Sequence, residues 1–523
     1  MNWKCWIILL VILSLGSWLR FYQINERGVF LWDEAEYLIG AKKLNEIIID
    51  TVKNPFQKKD YVVEDAFTKP LHLGLIWIFS WFIGFKEYTN SIVSIFFGIG
   101  TVFLIFIIGK IMYGVNTGLI SAFILSISAY HIMYSRSGLP DANSIFLTIL
   151  SVYFYYVSRI NKEKRLPFVL SGVLVGCIFL CNFRFFLVPL CLFLFELFFL
   201  KRFPRDIKRF FLFCFSMSIP IIGWITISTT FSLLITGDFL TLSYLKQLGV
   251  IFNFHLVSKG SSLHIEPFRD IFFYPQILWY LDGGIVFLCT LLGIMLFIKR
   301  HTLQDRLVLS LFSLPLIFWS IITPKEIIYV TQEVIPLRYT RSISIILPFM
   351  ALLAGNFISQ ILYSGYLKWV KILIIGGILI LGIESSMRIV GLKSGYKQAI
   401  EYLEKVGIKK HLTTIPVTSI LYTGINDCKY PPPVMDELKK LCIKENYHYL
   451  LIDWHKYLDY NNSIIKIEED YQPIAIFPNE YTIFPILCET YSADFVKQII
   501  KHDPFVACIK IYDLGDFLFI KGD

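Results

Sequence analysis

Charged residues are scarce in this chain. Asp, Glu, Lys and Arg make up 17% of its 523 residues, whereas hydrophobic residues make up 55%. Soluble domains carry about 25% charged residues. A soluble fold of this length would have to hide more apolar surface than its interior can hold. The composition therefore excludes an ordinary soluble protein and predicts a polytopic α-helical membrane protein.

Several familiar motifs are also missing. The sequence contains no G-x-G-x-x-G, no P-loop, no Cys-x-x-Cys and no internal repeat, so it lacks the signatures of nucleotide-binding, zinc, dithiol redox and repeat proteins. The net charge is +9. Its basic residues fall between apolar runs and form no stripe interleaved with aromatics, so no nucleic-acid partner is expected.

Apolar runs predict about 11 spanning helices, since each needs about 20 mostly apolar residues. They lie near residues 5–22, 88–109, 116–134, 142–158, 167–182, 185–200, 210–228, 278–298, 307–323, 342–362 and 370–387. The first is expected to be a retained anchor, because no small-residue cleavage site follows it. The run from Leu71 to Phe85 is only about 15 residues long, so we expect a surface or re-entrant segment there.

The distribution of Lys and Arg predicts the orientation. Basic clusters at 159–165, 201–209 and 299–306 are expected in the cytoplasm together with the N-terminus. The alternate connections and the tail from residue 388 are then extracytoplasmic. We expect a multi-pass protein of the plasma membrane.

The polar tail differs from the rest of the chain. Helical patterns alternate with strand patterns there, which predicts a small α/β domain at 388–523 after a membrane domain at 1–387. The predicted tail helices and strands are 396–406 (helix), 434–445 (helix), 447–452 (strand), 474–477 (strand) and 506–512 (strand). Four of the ten cysteines lie in this tail, and three full disulfide pairings stay open.

Two carboxylates and a lysine stand out in the first outer loop. Asp33 and Glu34 follow Trp32 just beyond the first span. A partly desolvated carboxylate is suited to take a proton from a hydroxyl, although acids also favour any helix start. Lys69 precedes the short apolar run, where it would hold a lipid phosphate as a point charge or anchor the chain at the interface.

Further polar residues lie at the same predicted face. Arg136 and Asp141 join two spans, and they would form a local ion pair or contribute to a reacting centre with the first-loop acids. Arg338 and Tyr339 precede a late span, and an Arg grips phosphate oxygens with two donors or simply anchors a helix end. Arg184 is a weaker candidate of the same kind.

These motifs, taken in order, resemble the GT-C membrane glycosyltransferases, in the group of protein O-mannosyltransferases and the lipid A aminoarabinose transferase. The resemblance covers roughly residues 1–390 and rests on Asp33-Glu34, Lys69-Pro70, Arg136 with Asp141, and Arg338-Tyr339. Two departures concern donor and acceptor identity: Leu71 stands where a second proline is frequent, and residues 340–344 are unusually polar. The Trp-Trp-Asp motif of oligosaccharyltransferases is absent, which argues against en-bloc transfer to Asn.

The resemblance implies a GT-C fold and an inverting transfer of a monosaccharide from a polyprenyl-phosphate carrier to a lipid, glycan or protein acceptor. Asp33 would be the base with Glu34 as its neighbour, and Asp141 would position the acceptor or sugar. The cations at 69, 136 and 338 would neutralise the leaving phosphate. A divalent metal bridging Asp33 and the phosphate fits the pattern too, but such a clamp makes it dispensable.

Two other functions stay open on the sequence. A secondary transporter would also be polytopic, but it should carry ionisable residues within its spans and repeated halves. Glu196 is one of the few mid-span acids here. A non-catalytic, lipid-binding scaffold is the second alternative.

Overall fold

The computed structural model describes most of the chain. The described residues are 3–53, 68–160, 165–196, 207–240, 243–252, 263–265, 272–328, 333–336, 340–363, 368–408, 410–424, 428–453, 461–478 and 508–515. Within them the fold is mainly helical, with two small sheets.

The α-helices are numbered in chain order. They are α1 (Trp3–Phe21), α2 (Ile24–Arg27), α3 (Trp32–Lys53), α4 (Pro70–Ile83), α5 (Thr89–Tyr113), α6 (Val115–Ser126), α7 (Ala129–Arg136), α8 (Asp141–Ile160), α9 (Arg165–Cys181), α10 (Leu187–Leu194), α11 (Ile207–Thr236), α12 (Tyr244–Phe252), α13 (Phe273–Asp282), α14 (Gly284–Arg300), α15 (Leu303–Ile321), α16 (Leu347–Tyr363), α17 (Lys368–Val390), α18 (Gly395–Lys405), α19 (Pro416–Thr423), α20 (Met435–Glu445) and α21 (Asn462–Asp470). Two 3-10 helices, Phe183–Phe186 and Thr340–Ile346, precede α10 and α16.

Several helices have the length and apolarity of membrane spans. Five in the described part of the chain meet both conditions: Trp3–Arg27, Thr89–Tyr113, Phe211–Thr236, Thr340–Leu362 and Lys371–Lys405. Others, such as α9, are apolar but shorter. The polytopic helical architecture is therefore confirmed, whereas the number of about 11 spans stays a prediction.

The expected span at 116–134 is not one continuous helix. It consists of α6 and α7, which bend by 62° at the break between them. The Ser128 side chain accepts a hydrogen bond from the backbone N–H of His131 and so caps α7. No proline or glycine stands at this break, so the sequence carried no strong signal for it.

The short helix α4 starts and ends near the same membrane face. His72 in its first turn contacts the carbonyl of Gly138 at 3.0 Å. Ser94, in the second turn of the helix that follows α4, donates to the carbonyl of Leu139 at 3.0 Å. Gly138 and Leu139 are adjacent, so the first turn of α4 and the second turn of α5 lie close together. The chain between them therefore starts and ends at one place, and α4 does not cross the membrane domain. This geometry supports a surface or re-entrant helix.

Close helix crossings hold the membrane domain together. Where α5 meets α6, a Cβ added to Gly118 would lie 2.5 Å from the backbone oxygen of Phe106, and one added to Gly109 would lie 2.8 Å from the Cα of Gly118. Only glycine permits this approach. Such small-residue contacts are how helices associate in lipid, where apolar side chains gain nothing by leaving one apolar medium for another.

Two small sheets complete the described fold. Strands β1 (Leu263–Ile265), β2 (Ile322–Ile328) and β3 (Glu333–Pro336), from the connections between α12 and α13 and between α15 and α16, form an antiparallel sheet. In the tail, β4 (Leu412–Thr413), β5 (Tyr449–Ile452), β6 (Ala475–Pro478) and β7 (Cys508–Asp513) form a mixed sheet in the order β4-β5-β7-β6. Strands β5, β6 and β7 and helices α18 and α20 match the elements predicted for the tail, whereas β4, α19 and α21 were not predicted. The first sheet was not predicted.

The tail packs against the connection between α1 and α3. The backbone N–H of Ser394 donates to the carbonyl of Arg27 at 2.7 Å, and its hydroxyl donates to the carbonyl of Val29 at 2.5 Å. The Tyr422 hydroxyl accepts from the N–H of Val29 at 2.9 Å. Between these contacts lies Gly28, whose φ of 71° favours glycine. The tail thus holds the loop that leads into α3.

Replacing Gly28 by alanine should loosen this docking. A Cβ at residue 28 would lie 2.9 Å from the Cβ of Ser394, in addition to the backbone strain. Hydrogen exchange followed by mass spectrometry should then show faster exchange in α18 and α19.

Gly84→Ala is the matched control. Gly84 has a similar φ of 75°, but a Cβ there would meet nothing within 4 Å. It therefore carries the backbone strain without the collision. Equal exchange of the tail helices in the two variants would contradict the proposed role of this contact.

Candidate active site

The start of α3 positions the first site residue. Asp33 lies in the first turn of α3, and its carboxylate accepts a hydrogen bond from Arg341 at 2.9 Å. Arg341 belongs to the 3-10 helix at 340–346, more than 300 residues later in the chain. About a third of the Asp33 side chain (31%) remains exposed, so the carboxylate is still accessible from one side.

Lys69 approaches the same place from the N-terminus of α4. Its ammonium group contacts the hydroxyl of Tyr37, which lies one helical turn after Asp33 on α3. Lys69 is 9% exposed. Burial lowers the pKa of Lys69 to about 8, and the nearby charge of Asp33 opposes part of this shift.

Asp141 is the first residue of α8 and completes the acidic pair. Its side chain is 1% exposed, and its Oδ1 atom has no hydrogen-bond partner among the described residues. The charges of Arg341, Arg184 and Lys69 attract it, and that of Asp33 repels it. A buried carboxylate oxygen without a donor is costly unless a ligand supplies one.

Arg184 is the third cation of this cluster. It lies in the 3-10 helix after α9, where the side chain of Asn182 accepts a hydrogen bond from its backbone N–H at 3.2 Å. Its positive charge acts on Asp33, Lys69 and Asp141. The sequence analysis predicted Arg184 as a weaker phosphate-binding candidate than the other basic residues.

Three positive charges set the protonation state of Asp33. Burial acts to raise the pKa of its carboxyl group, but Arg341, Lys69 and Arg184 together outweigh burial and hold the pKa below its ordinary value. Asp33 is therefore an ionised carboxylate at neutral pH. We call Asp33, Lys69, Asp141, Arg184 and Arg341 the polar cluster.

A histidine connects two of the elements that supply the polar cluster. The Nε2 atom of His72 lies 3.0 Å from the carbonyl oxygen of Gly138, and its Nδ1 atom lies 2.9 Å from the side-chain nitrogen of Asn143. A neutral ring protonated on Nε2 satisfies both contacts. It fixes the start of α4 against the start of α8, and so it fixes Lys69 relative to Asp141.

Two residues predicted for the site make other contacts instead. Both carboxylate oxygens of Glu34 accept from Arg27, at 2.8 and 2.9 Å, and the pair is buried. Arg136 is 2% exposed and donates to the carbonyl oxygens of four residues, which are Leu19, Arg20, Tyr22 and Val390. It holds the C-terminal ends of α1 and α17 together. The structure does not bring either side chain into the polar cluster.

Arg338 and Tyr339 lie outside the described residues. Arg341, three positions later, is placed next to Asp33 by the structure, and the phosphate-binding role of Arg338 and Tyr339 stays a prediction. No local sequence pattern indicated that Arg341 pairs with Asp33. In the described part of the chain, no group of three or more His, Cys, Asp and Glu residues is arranged to hold a metal ion.

Comparisons with known proteins concern the fold and part of the chain. Residues 68–224 match the family model of dolichyl-phosphate-mannose-protein mannosyltransferases. A search of curated protein sequences found no match.

Solved structures extend the similarity over most of the chain. ArnT from Cupriavidus metallidurans in the apo state is 11% identical with a TM-score of 0.58, and the match covers 91% of this chain and 97% of ArnT. ArnT bound to undecaprenyl phosphate is 12% identical with a TM-score of 0.51, over 95% of this chain and 88% of that one. The oligosaccharyltransferase of Archaeoglobus fulgidus in the apo form is 12% identical with a TM-score of 0.55, over 87% and 70%.

At these identities the structural matches concern the fold. They agree with the family match at 68–224, which contains Lys69, Asp141 and Arg184. The resemblance predicted from the motifs is confirmed at the level of the fold: the chain has the fold of the GT-C membrane glycosyltransferases ArnT and the archaeal oligosaccharyltransferase, and residues 68–224 match the mannosyltransferase family model.

Proposed function

We propose that this protein is an inverting glycosyltransferase that moves a monosaccharide from a polyprenyl-phosphate donor to an acceptor hydroxyl at the extracytoplasmic face. The observation that carries the proposal is the polar cluster itself. It combines two carboxylates with three cations at the ends of helices, where a lipid-held head group could reach them. The family match and the undecaprenyl phosphate bound by ArnT support the choice of donor class.

The cations suit the phosphate of the carrier. Arg341 offers a planar fork of N–H donors, and Lys69 offers a compact point charge from the start of α4. Arg184 adds a third positive charge. As the bond between sugar and phosphate breaks, negative charge grows on the leaving phosphate, and fixed cations stabilise it.

The chemical step is a single displacement. The acceptor oxygen forms a bond to the sugar carbon while the bond from that carbon to the phosphate oxygen breaks. The electron pair leaves with the carrier phosphate, and the proton of the acceptor hydroxyl passes to Asp33. Attack from the side opposite the phosphate inverts the configuration at the sugar carbon.

Donor binding should also make Asp33 a better base. The unliganded carboxylate is surrounded by positive charge, which holds its pKa below the ordinary value and makes it a weak base. A phosphate bound to Arg341 and Lys69 offsets that charge, so the pKa of Asp33 rises once the donor is in place. Proton transfer is thereby favoured only when there is a sugar to transfer.

Asp141 has a different role in this proposal. Its Oδ1 atom lacks a donor among the described residues, and a sugar or acceptor hydroxyl would supply one. We therefore assign Asp141 to orienting the substrate. With this site outside the cell, the N-terminus is cytoplasmic, and the membrane domain at 1–387 and the α/β domain at 388–523 form the two parts of the enzyme.

Replacing Asp33 by asparagine should nearly abolish transfer. The amide keeps the size and most of the hydrogen bonding but cannot accept the proton, so turnover should fall roughly 10²–10⁴-fold. Donor binding should change far less. The assay uses purified protein in nanodiscs with a panel of labelled polyprenyl-phosphate sugars.

Asp50→Asn is the control for this variant. Asp50 lies on the same helix, about 25 Å further along its axis at 1.5 Å per residue, and should behave like the wild type. Normal turnover in Asp33→Asn with an inactive Asp141→Asn would move the base to Asp141. Full activity in both variants would overturn the transferase proposal.

Arg341 should bind the donor phosphate through the planar arrangement of its N–H donors as well as through its charge. Arg341→Lys retains the charge without the planar fork, so we expect donor affinity to drop about tenfold, which corresponds to one lost charge-assisted hydrogen bond. Titration with labelled donor measures it. Arg388→Lys, on an exposed side chain of α17, is the control. An unchanged affinity in Arg341→Ala would remove this residue from the site.

The pH dependence should report Lys69. Its pKa of about 8 means that the ammonium loses its charge as the pH rises through 8. The kcat/KM for donor should then fall above pH 8, because this parameter reports ionisations of the free enzyme. Lys69→Arg keeps its charge at every accessible pH and should remove the alkaline limb. If kcat/KM still falls above pH 8 in Lys69→Arg, the ionisation of another group causes the decrease.

A further inference from the structure

Residues 340–344 are unusually polar, and the proposed function uses only Arg341 among them. They belong to the 3-10 helix Thr340–Ile346, which is seven residues long. Hydrogen bonds in a 3-10 helix have poor geometry, and runs longer than three or four residues are uncommon. A 3-10 helix of this length therefore needs support from neighbouring elements. Its support matters for the site because it carries the guanidinium that pairs with Asp33 at 2.9 Å.

Two tyrosines of α7 hold the first residue of this 3-10 helix. The hydroxyl of Tyr130 donates to the backbone carbonyl of Thr340 at 2.5 Å, and the hydroxyl of Tyr134 lies 2.7 Å from Oγ1 of Thr340. The tyrosines are four residues apart, so both rings lie on one face of α7. All three residues are at most 1% exposed, so bulk water does not compete for these hydrogen bonds.

A further hydrogen bond fixes the backbone inside the 3-10 helix. The hydroxyl of Ser344 donates to the carbonyl of Arg341 at 2.8 Å. Hydroxyl groups thus hold the backbone on both sides of Arg341. This accounts for the polarity of the segment, because apolar residues at 340 and 344 could not make these side-chain contacts.

Helix α7 is itself anchored at its start. Asp282 at the end of α13 accepts hydrogen bonds from the hydroxyl of Ser128 at 2.7 Å and from the backbone N–H of Tyr130 at 3.2 Å. Arg20 of α1 lies 2.7 Å from Nδ1 of His131. A helix of eight residues is too short to be stable in isolation. These contacts with α1 and α13 therefore keep α7 in one place.

The other end of α7 leads to the second acid of the polar cluster. Residues 137–140 connect α7 to Asp141 at the start of α8. In this connection the carbonyl of Gly138 contacts α4 and that of Leu139 contacts α5. Helix α7 thus joins two sides of the polar cluster: it reaches Asp141 through the chain and Arg341 through the tyrosine hydroxyls.

We propose that Tyr130 and Tyr134 are positioning residues of the donor site, which act through Thr340 on Arg341. They set the position of the guanidinium beside Asp33 without touching the substrate, because their hydroxyls are buried against Thr340. This assignment rests on the proposed function, in which Arg341 binds the donor phosphate.

Thr340→Val tests the link between α7 and Arg341. Valine keeps the shape of threonine and removes the hydroxyl that Tyr134 contacts. When labelled donor is titrated into full-length protein in nanodiscs, donor affinity should fall about fivefold, the factor that corresponds to one hydrogen bond. Tyr134→Phe should lose about as much. Thr340→Ser retains the hydroxyl and should stay within about twofold of the wild type.

A double-mutant cycle separates positioning from general stability. In Arg341→Ala the group that α7 positions is absent, so adding Thr340→Val should weaken donor binding no further. A loss of folded protein would instead lower binding by the same factor in both backgrounds. Thr290→Val is the matched control. Thr290 is also buried, but its hydroxyl donates to the carbonyl of Val286 within its own helix, so this variant should bind donor like the wild type.

Hydrogen exchange of the unliganded protein gives a measurement that needs no donor. In Thr340→Val the amides of residues 340–346 should exchange about fivefold faster, whereas those of α9 should not change. Unchanged exchange at 340–346, equal losses of affinity in the wild-type and Arg341→Ala backgrounds, or wild-type affinity in both Thr340→Val and Tyr134→Phe overturns the proposal. A wild type that binds no donor contradicts the proposed function instead, and the exchange result then decides alone whether α7 positions the 3-10 helix.

Discussion

A charge in an apolar medium must be compensated, and this constraint determines how the protein is built. Removing an ion from water costs several kcal/mol even after relaxation, so buried charges are stable only with partners. Arg27 meets Glu34 at 2.8 Å, and Arg159 meets Glu196. Where no carboxylate lies near a buried cation, carbonyl oxygens at helix ends accept its hydrogen bonds instead. Arg136 donates to four of them and thereby joins α1 to α17. The buried cations thus hold helix ends that would otherwise be separate.

The same constraint makes incomplete pairing informative. Asp141 has a buried oxygen without a donor, and Arg159 has two buried nitrogens without an acceptor, among the described residues. The first lies in a cluster with more cations than acids, and the second lies in an apolar cavity. A compact group rich in hydroxyls and phosphate, as proposed above, suits the first.

Sequence patterns predicted the helical membrane architecture, most of the tail elements and four members of the polar cluster, with Arg184 as the weaker candidate. Asp33, Lys69 and Asp141 could be predicted because each follows or precedes an apolar run at one predicted membrane face. That reasoning locates a residue at a face but does not give the direction of its side chain. Arg136 was therefore assigned to the phosphate although it caps helix ends, and Arg341 was missed. Pairing across more than 300 residues depends on tertiary packing that no local pattern records.

Asp33 and Glu34 show how adjacent acids acquire different roles. Successive residues on a helix point about 100° apart, so only one of the two can face the cluster. Glu34 faces Arg27, whose backbone carbonyl accepts from Ser394 of the tail. Asp33 faces Arg341 in the 3-10 helix before α16. The first turn of α3 is therefore held on both sides, by the tail through Arg27 and by the membrane domain through Arg341.

A base must lie within hydrogen-bond reach of the proton it removes, and small displacements reduce the rate strongly. The tail thus belongs to the proposed active site as a support for α3, although it contributes no residue to the polar cluster.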